Sequence, residues 1–170
     1  IRPCLACNAC YKMKNYRCII EDDLNELISY AREFDGFILS SPIHYADISG
    51  LAKSALDRLF YVSGANGNIF KHKVGAGLVC VRGSGGIAGF HTLYNYLTYA
   101  EMFIASGSYW NIVHGNRRGE AEYDREGLET LSNLCANVSF LLKAIDSKKD
   151  NLPKTKRKEI TNLIREDLKD

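Results

Sequence analysis

The segment from Val74 to Val81 contains only apolar residues and glycine. A strand with one face in water alternates apolar and polar side chains, and this segment does not alternate. It therefore predicts a β-strand covered on both faces. Strands of this kind belong to parallel sheets that lie between layers of helices, which limits the folds open to the chain.

Helical and strand patterns alternate on either side of this segment. Asp22 or Asp23 can cap a helix whose apolar residues share one face. A short strand at residues 37–39 follows, and the next three residues, two serines and a proline, should end it in a loop that runs to Gly50. The later predicted elements are a helix near 51–59, the strand at 74–81, a helix at 87–100, a strand at 102–105 and a helix at 128–142. This order predicts a doubly wound parallel sheet in a three-layer α/β/α fold.

In such a sheet, ligands bind beyond the carboxyl ends of the strands. We therefore expect the loops at 41–50, 82–86 and 106–118 to converge on one site. A chain of 170 residues with ordinary apolar content suits a single core, so residues 1–145 should form one domain that includes a cysteine-bearing loop at 1–20. Residues 146–170 are mostly charged and indicate a C-terminal tail.

Four cysteines crowd the start of the chain. Cys4, Cys7 and Cys10 are each separated by two residues, and Cys18 follows shortly after. Short loops of this spacing can point three thiolates at one centre, as in 4Fe–4S clusters, with the fourth thiolate arriving from elsewhere. Structural zinc more often uses two separated pairs of cysteines, but zinc and metal-free thiols both remain open. The four cysteines are therefore candidate ligands of an iron–sulfur cluster.

The other two cysteines have a simpler interpretation. Cys80 falls in the apolar strand, and Cys135 falls on the apolar face of the last predicted helix. Cysteine in such positions behaves as a small hydrophobic residue, so we expect both side chains to pack in the core.

Composition excludes several classes of partner. The chain has 22 Lys and Arg against 20 Asp and Glu, a net charge of +2, which argues against a nucleic-acid-binding surface. The sequence has neither a run of about eighteen apolar residues nor a signal-peptide pattern, so we expect no membrane partner and a cytoplasmic location. Thiols stay reduced there, which favours metal binding over disulfides for the cysteine run.

Further short motifs accompany the cysteines in a fixed order. They are Pro3-Cys4-x-x-Cys7-x-x-Cys10, Cys18 followed by Asp22-Asp23, Ser41-Pro42-Ile43, Ser49-Gly50-Leu51, Asp57-Arg58, Ser106-Gly107-Ser108-Tyr109-Trp110 and Thr161-Asn162-Leu163-Ile164-Arg165. Together they resemble the iron–sulfur flavoproteins and the wider NAD(P)H-dependent FMN reductases of flavodoxin-like fold. The resemblance runs over nearly the whole chain.

The resemblance implies that a first loop, from Ser41 through Ser49 to Gly50, wraps the flavin ring of FMN. The contacts would come largely from backbone groups of Pro42, Ile43, His44 and Tyr45. Backbone N–H groups near the ring tune its potential without adding a competing acid. His44 stands where the family commonly has tyrosine, and it can stack on or protonate the flavin, or be an exposed histidine without a chemical role.

A second flavin-side loop is implied at residues 82–86. Gly83 and Gly85 would allow close backbone approach, and Arg82 could face the flavin or a substrate anion. The alternative is an ordinary glycine turn with a solvated arginine. Tyr109 and Trp110 could flank the flavin or a neighbouring subunit, or could pack in the core.

The family's phosphate-binding loop normally follows a first strand and opens the first helix. No such segment is present in this sequence. We expect the corresponding N-terminal part of the fold to be missing from the numbered chain, since a sheet without its central strand should not be stable alone. The alternative is that FMN binding is compromised.

The leading hypothesis is an FMN-dependent electron-transfer oxidoreductase with a 4Fe–4S cluster. By resemblance, a ferredoxin-like protein or NAD(P)H would supply electrons, a small acceptor would receive them, and the protein would form a homodimer or homotetramer. One alternative is an NAD(P)H-dependent FMN or quinone reductase without a cluster. Another is a non-catalytic metal-binding module that has lost its flavin.

Overall fold

A computed structural model describes residues 1–155 of the chain. Helices and strands alternate along it, with short 3₁₀ turns at Glu120–Tyr123 and Lys149–Asn151. The helices are α1 (Ala9–Met13), α2 (Leu24–Glu33), α3 (Gly50–Ala65), α4 (Gly86–Tyr99) and α5 (Arg125–Asp146). The strands are β1 (Gly36–His44), β2 (Asp47–Ile48), β3 (Val74–Val81), β4 (Phe103–Ile104) and β5 (Ile112–His114).

β3 is the centre of the sheet, as its apolar sequence predicts. β1 runs parallel to it on one side, with Ser41 opposite Val79, and both β4 and β5 run parallel to it on the other. The short β2 pairs antiparallel with the end of β1. Helix α3 connects β1 to β3, and α4 connects β3 to β4. The predicted α/β fold with a mostly parallel sheet is confirmed.

The two faces of the sheet are covered by different helices. On one face, α3 and α4 enclose Leu39 and Val79 together with three edge-to-face phenylalanines, Phe37, Phe60 and Phe70. On the other face, Leu134 of α5 packs against β3. Full burial of one such side chain contributes about 1.5–3 kcal/mol to the stability of the folded state. These contacts therefore give the cysteine loop and the edge of the sheet a stable core to pack against.

The expectation that Cys80 and Cys135 pack in the core is wrong, because both are exposed. Helix α5 packs on Val74 and Ala76 near the start of β3, whereas Cys80 near the end of the strand lines an open cavity of about 400 Å³. Cys135 follows the buried Leu134, and a step of one residue turns a side chain about 100° around a helix.

The first strand is longer than predicted. Residues 37–39 were expected to form it alone, but β1 continues through Ser40, Ser41 and Pro42 to His44 and then folds back as β2. Among the described residues, β1 pairs over 36–42 only with β3, and only its last two residues pair with β2. Proline is tolerated on such an edge strand, and here it does not break the strand.

The strand predicted at 102–105 has a second part, β5, which lies within the loop predicted at 106–118. Ile104 lies opposite Gly75, and Ile112 lies opposite Val79, so eight residues of this strand span four of β3. The extra residues form an insertion at 106–111. Buried Asn111 fixes it, donating to the Gly77 carbonyl at 3.0 Å.

The predicted tail at 146–170 begins where α5 ends, at Asp146. The tail residues from 156 onward lie outside the described residues, so the proposed division into domain and tail stays a prediction. None of the helices in residues 1–155 is long and apolar enough to cross a membrane.

Candidate functional site

The cysteine loop bends sharply in each gap between its first three cysteines. Ala6 lies between Cys4 and Cys7 with φ 49°, and Asn8 lies between Cys7 and Cys10 with φ 57°. A non-glycine residue in this left-handed region costs roughly 1–2 kcal/mol. Such strain persists where the surroundings fix the backbone, and it concentrates at functional sites.

Cys4, Cys7, Cys10 and Cys18 line one small cavity, so the structure brings the predicted ligands together. Cys10 is buried and Cys7 is exposed, with the other two between these extremes. Burial raises the pKa of the Cys10 thiol, and the nearby Cys18 and Cys4 raise it further. Cys4 Sγ accepts a hydrogen bond from the Ala6 N–H at 3.4 Å.

Within residues 1–155, no group of three or more His, Cys, Asp or Glu side chains is placed to hold a metal ion. The cysteines share a cavity without forming a ready-made site for a single ion. Their chemistry nevertheless suits an iron–sulfur cluster, because four thiolates are its usual ligands and a cluster is larger than one ion.

Cys18 is anchored by the first turn of α2. The Oδ1 atom of buried Asn25 accepts from the Cys18 N–H at 2.8 Å, and its Nδ2 atom donates to the Cys18 carbonyl at 3.1 Å. Nδ2 also donates to the Ile20 carbonyl at 3.2 Å. These bonds satisfy backbone groups that would otherwise be costly to bury, so α2 fixes the position of the fourth cysteine.

Arg58 approaches Cys18 from the third turn of α3. Its side chain is 1% exposed, and its Nε donates to Cys18 Sγ at 3.3 Å. Its Nη1 donates to Asp22 Oδ2 at 2.7 Å. The bond from Arg58 is the main reason why the pKa of Asp22 lies well below its ordinary value.

Further contacts join the cysteine loop to α3. The Tyr61 hydroxyl donates to Asn8 Oδ1 at 2.6 Å, and the Tyr61 and Tyr11 rings meet edge-to-face with centroids 5.2 Å apart. Because Tyr11 follows Cys10 on α1, this contact packs α1 against α3. The loop is thus held by two helices, α2 and α3.

The loop predicted to wrap the flavin is closed by two serines. Buried Ser41 accepts from the Ser49 N–H at 3.0 Å and donates to the Pro42 carbonyl at 2.8 Å. Ser49 then caps α3 by accepting from the Ala52 N–H at 3.2 Å. The segment between the serines therefore has fixed ends.

The predicted contact residues inside this loop differ in exposure. Pro42 and His44 are exposed on β1, Ile43 is partly buried, and Tyr45 is fully exposed at the turn with φ 64°. The loop rests on α4, where a Cβ added to Gly89 would come within 2.2 Å of Ile43 Cδ1. The residues at the tip of the loop are thus exposed, while Ile43 packs against α4.

The second predicted loop connects β3 to α4. Arg82 is exposed, and Gly85 has φ 96° at the N-cap of α4, a conformation suited to glycine. A Cβ added at Gly83 or Gly85 would meet nothing within 4 Å, so this side of the loop is open to a ligand. The first turn of the 14-residue α4 adds backbone N–H groups there.

The second loop borders a cavity of about 290 Å³ shared with the insertion and with the start of α5. Tyr109 and Trp110 of the insertion lie at this cavity, with ring centroids 4.8 Å apart, and both are exposed. They therefore do not pack in the core. The loop at 82–86 and the insertion meet at one cavity, as predicted.

The loop at 41–50 does not line that cavity. It leaves the sheet beside the second loop, since Pro42 lies opposite Cys80 in the parallel ladder. The predicted convergence of three loops is thus confirmed at one cavity for two of them, and the third emerges next to them at the same edge.

Sequence reasoning missed a histidine and an aspartate at the same cavity. Asp124 Oδ2 accepts from the His114 N–H at 2.6 Å and lies 3.2 Å from His114 Nδ1. Asp124 also caps α5, accepting from the Gly127 N–H at 3.0 Å, and these N–H donors lower the pKa of Asp124. An aspartate shortly before a helix was the available signal, but nothing in the sequence places His114 beside it.

Solved structures share the fold. RosB, in a structure with the bound intermediate 8-demethyl-8-formylriboflavin-5'-phosphate, matches with a TM-score of 0.60 over 86% of this chain and 72% of that one, at 19% identity. Rubredoxin oxygen:oxidoreductase from Desulfovibrio gigas matches with a TM-score of 0.52 over 72% of this chain and 27% of that one, at 18% identity. The chain therefore has a flavodoxin-like fold.

Relatives in sequence are named iron–sulfur flavoproteins. One from Methanocaldococcus jannaschii is 29% identical over 153 residues, covering 85% of this chain and 77% of the relative. One from Methanosarcina thermophila is 26% identical over 153 residues, covering 88% and 77%. The model of the NADPH-dependent FMN reductase family matches residues 1–117, and the chain belongs to this family. It is a flavin-dependent oxidoreductase.

Proposed function

We propose that this oxidoreductase carries a 4Fe–4S cluster on Cys4, Cys7, Cys10 and Cys18, and FMN on the loops at 41–49 and 82–86. The observation that carries the proposal is the convergence of the four cysteines on one cavity. The names of the two relatives support it. When bound, the cluster exchanges single electrons, and FMN exchanges one or two.

Helix α3 connects the two proposed sites. Its N-cap, Ser49, closes the first flavin loop, and Arg58 of the same helix contacts Cys18. Nine residues of helix separate them, roughly 14 Å along the axis. One rigid element therefore positions both the flavin loop and the fourth cysteine.

The chain's own residues have distinct tasks in this proposal. The four thiolates hold the cluster, while Asn25 and Arg58 fix Cys18. Ser41 and Ser49 hold the first flavin loop, from which Pro42, Ile43, His44 and Tyr45 present backbone groups. Arg82, Gly83 and Gly85 form the open second loop.

The proposal extends to partners. Electrons would come from a ferredoxin-like protein or NAD(P)H and pass to a small acceptor, in a cytoplasmic homodimer or homotetramer. The name of the family supports NADPH as one donor. The nearly balanced charge supports a protein or small-molecule partner rather than nucleic acid.

Iron and acid-labile sulfide in anaerobically purified protein test the cluster. We expect about four of each per chain, and loss of most of both in Cys→Ser variants at Cys4, Cys7, Cys10 and Cys18. Cys80→Ser and Cys135→Ser are matched controls, because both cysteines are exposed and outside the cavity. Zinc in place of iron, or Cys10→Ser with the iron content of the wild type, would overturn the proposal.

The second candidate is an NAD(P)H-dependent FMN or quinone reductase without a cluster, which the family name favours. Rapid flavin reduction by NADPH alone, at a rate unchanged in Cys10→Ser, would support it. The third alternative, a non-catalytic module, is not supported, because the chain belongs to a family of reductases.

A further inference from the structure

Arg58 is the largest side chain among those fully buried in the described residues. All of its hydrogen bonds from Nε, Nη1 and Nη2 go to the segment at 1–22 that carries the cysteines. They reach Cys18 Sγ at 3.3 Å, Asp22 Oδ2 at 2.7 Å, the Arg2 carbonyl at 3.0 Å and the Ile20 carbonyl at 2.9 Å. The guanidinium thus lies between a carboxylate and a cysteine sulfur.

Burying a guanidinium is expensive. The charged group loses its hydration, and apolar residues of similar volume often replace a buried ion pair without loss of stability. Apolar residues could therefore attach the loop to α3 equally well, and attachment by itself does not explain why a cation is buried at this position. The placement of the charge beside a cysteine sulfur needs a reason of its own.

The cysteines differ in the donors that they receive. Cys4 Sγ accepts from a neutral backbone N–H at 3.4 Å, whereas Cys18 Sγ accepts from the charged guanidinium. A charge-assisted hydrogen bond is roughly twice as strong as a neutral one. Hydrogen bonds to sulfur and net charge near a cluster set its reduction potential, because reduction adds negative charge.

We propose that Arg58 is a positioning residue that raises the reduction potential of the cluster through its bond to Cys18, with Asp22 opposing it. This inference rests on the proposed function, since it requires the cluster. Two predictions of opposite sign follow. Removing the positive charge of Arg58 lowers the potential, and removing the negative charge of Asp22 raises it.

The experiment is a redox titration of the cluster in full-length, anaerobically purified protein, followed by its paramagnetic resonance signal. We expect Arg58→Gln to disfavour reduction about tenfold, equivalent to about 59 mV for one electron. Asp22→Asn should favour reduction by a similar factor. Arg58→Lys keeps the charge and should shift the equilibrium less than Arg58→Gln.

Lys53→Gln is the matched control. It removes the same charge from the same helix, but Lys53 is half exposed and pairs with Asp57 away from the cysteines. Solvent screens such a charge, so its removal should leave the potential nearly unchanged.

The outcomes separate the inference from the proposed function. A wild-type protein without a cluster signal defeats the proposed function, and the inference with it. If the signal is present but the Arg58 and Asp22 variants shift in the same direction, or no further than Lys53→Gln, the inference alone is wrong. If Arg58→Gln loses its cluster, the reduction potentials of Arg58→Lys and Asp22→Asn replace it as the test. The inference then fails unless the potential of Asp22→Asn is higher than that of the wild type.

Discussion

The side-chain amide of Asn25 bonds both backbone polar groups of Cys18, at 2.8 Å to its N–H and 3.1 Å to its carbonyl. A helix residue seven positions further on therefore holds the cysteine that stands furthest from the others in the sequence. The Arg58 guanidinium contacts the sulfur of the same cysteine from another helix. Cys18 is thus fixed at both its backbone and its side chain.

Asn25→Ala should destabilise the protein by about 2–3 kcal/mol, because it leaves the N–H and the carbonyl of Cys18 without their partner. It should also reduce the iron content. Urea denaturation of anaerobic protein measures the first effect, and iron analysis measures the second. Ser29→Ala is the control, since Ser29 bonds only within α2 to the Asn25 carbonyl. Equal losses in the two variants would contradict the role given to Asn25.

Ser41→Ala should weaken FMN binding roughly tenfold, equivalent to about 1.4 kcal/mol, because the loop then loses the bond between Ser41 and Ser49. Titration of the apoprotein with FMN, followed by flavin fluorescence, gives the dissociation constant. Ser40→Ala is the matched control, because Ser40 is the exposed neighbour on β1. The role of Ser41 would be refuted if both variants bound FMN as the wild type does.

Asp124→Asn tests a pH dependence at the cavity beside the second loop. The pKa of Asp124 is lowered by the N–H groups of Gly127 and His114, so its charged form stabilises the folded state. That contribution is present above the unfolded pKa of about 4 and is lost as the pH falls through the lower folded pKa. Asparagine still caps a helix, so the variant removes mainly the charge.

We expect Asp124→Asn to be about 1 kcal/mol less stable than the wild type at pH 7, with the difference shrinking below pH 4. Urea denaturation at several pH values measures it. A difference that stays constant between about pH 7 and pH 3 would show that the charge of Asp124 contributes nothing.

Ala6→Gly should stabilise the protein by about 1 kcal/mol, because glycine adopts φ 49° without the steric cost that alanine pays. Ala9→Gly on α1 is the matched control and should destabilise by about 0.5–1 kcal/mol, since glycine is unfavourable in a helix. Thermal unfolding of the two variants distinguishes these signs. A loss of stability in Ala6→Gly would show that the left-handed backbone is not strained.

The alternation of helices and strands follows from hydrophobic pattern, and β3 matches its predicted bounds of Val74–Val81. The bounds of β1 differ from the prediction, because Pro42 indicates a break in the sequence but pairs with β3 in the structure. Proline is tolerated there because β1 is an edge strand. The insertion at 106–111 was also hidden, since it depends on the buried side-chain bonds of Asn111. Sequence patterns reflect the preferences of neighbouring residues, whereas the extension of β1 and the insertion at 106–111 depend on contacts between segments that are distant in the sequence.

The candidate site shows the same division. Spacing predicts Cys4, Cys7 and Cys10 as a group, whereas Cys18 stands apart from them in the sequence. In the structure it lies at the same cavity and receives the most anchoring contacts. Arg58 could be recognised only as part of a short motif, because its contacts reach back 36 to 56 residues along the chain.

The central claim is that the cysteine site delivers electrons to a flavin in the same protein. The most direct measurement mixes anaerobic protein with a one-electron donor such as reduced ferredoxin and follows flavin absorbance in a stopped-flow instrument. FMN-loaded wild type and Cys135→Ser should react alike, and FMN-loaded Cys10→Ser should react at least about tenfold more slowly. Equal rates of flavin reduction in all three proteins would contradict the account.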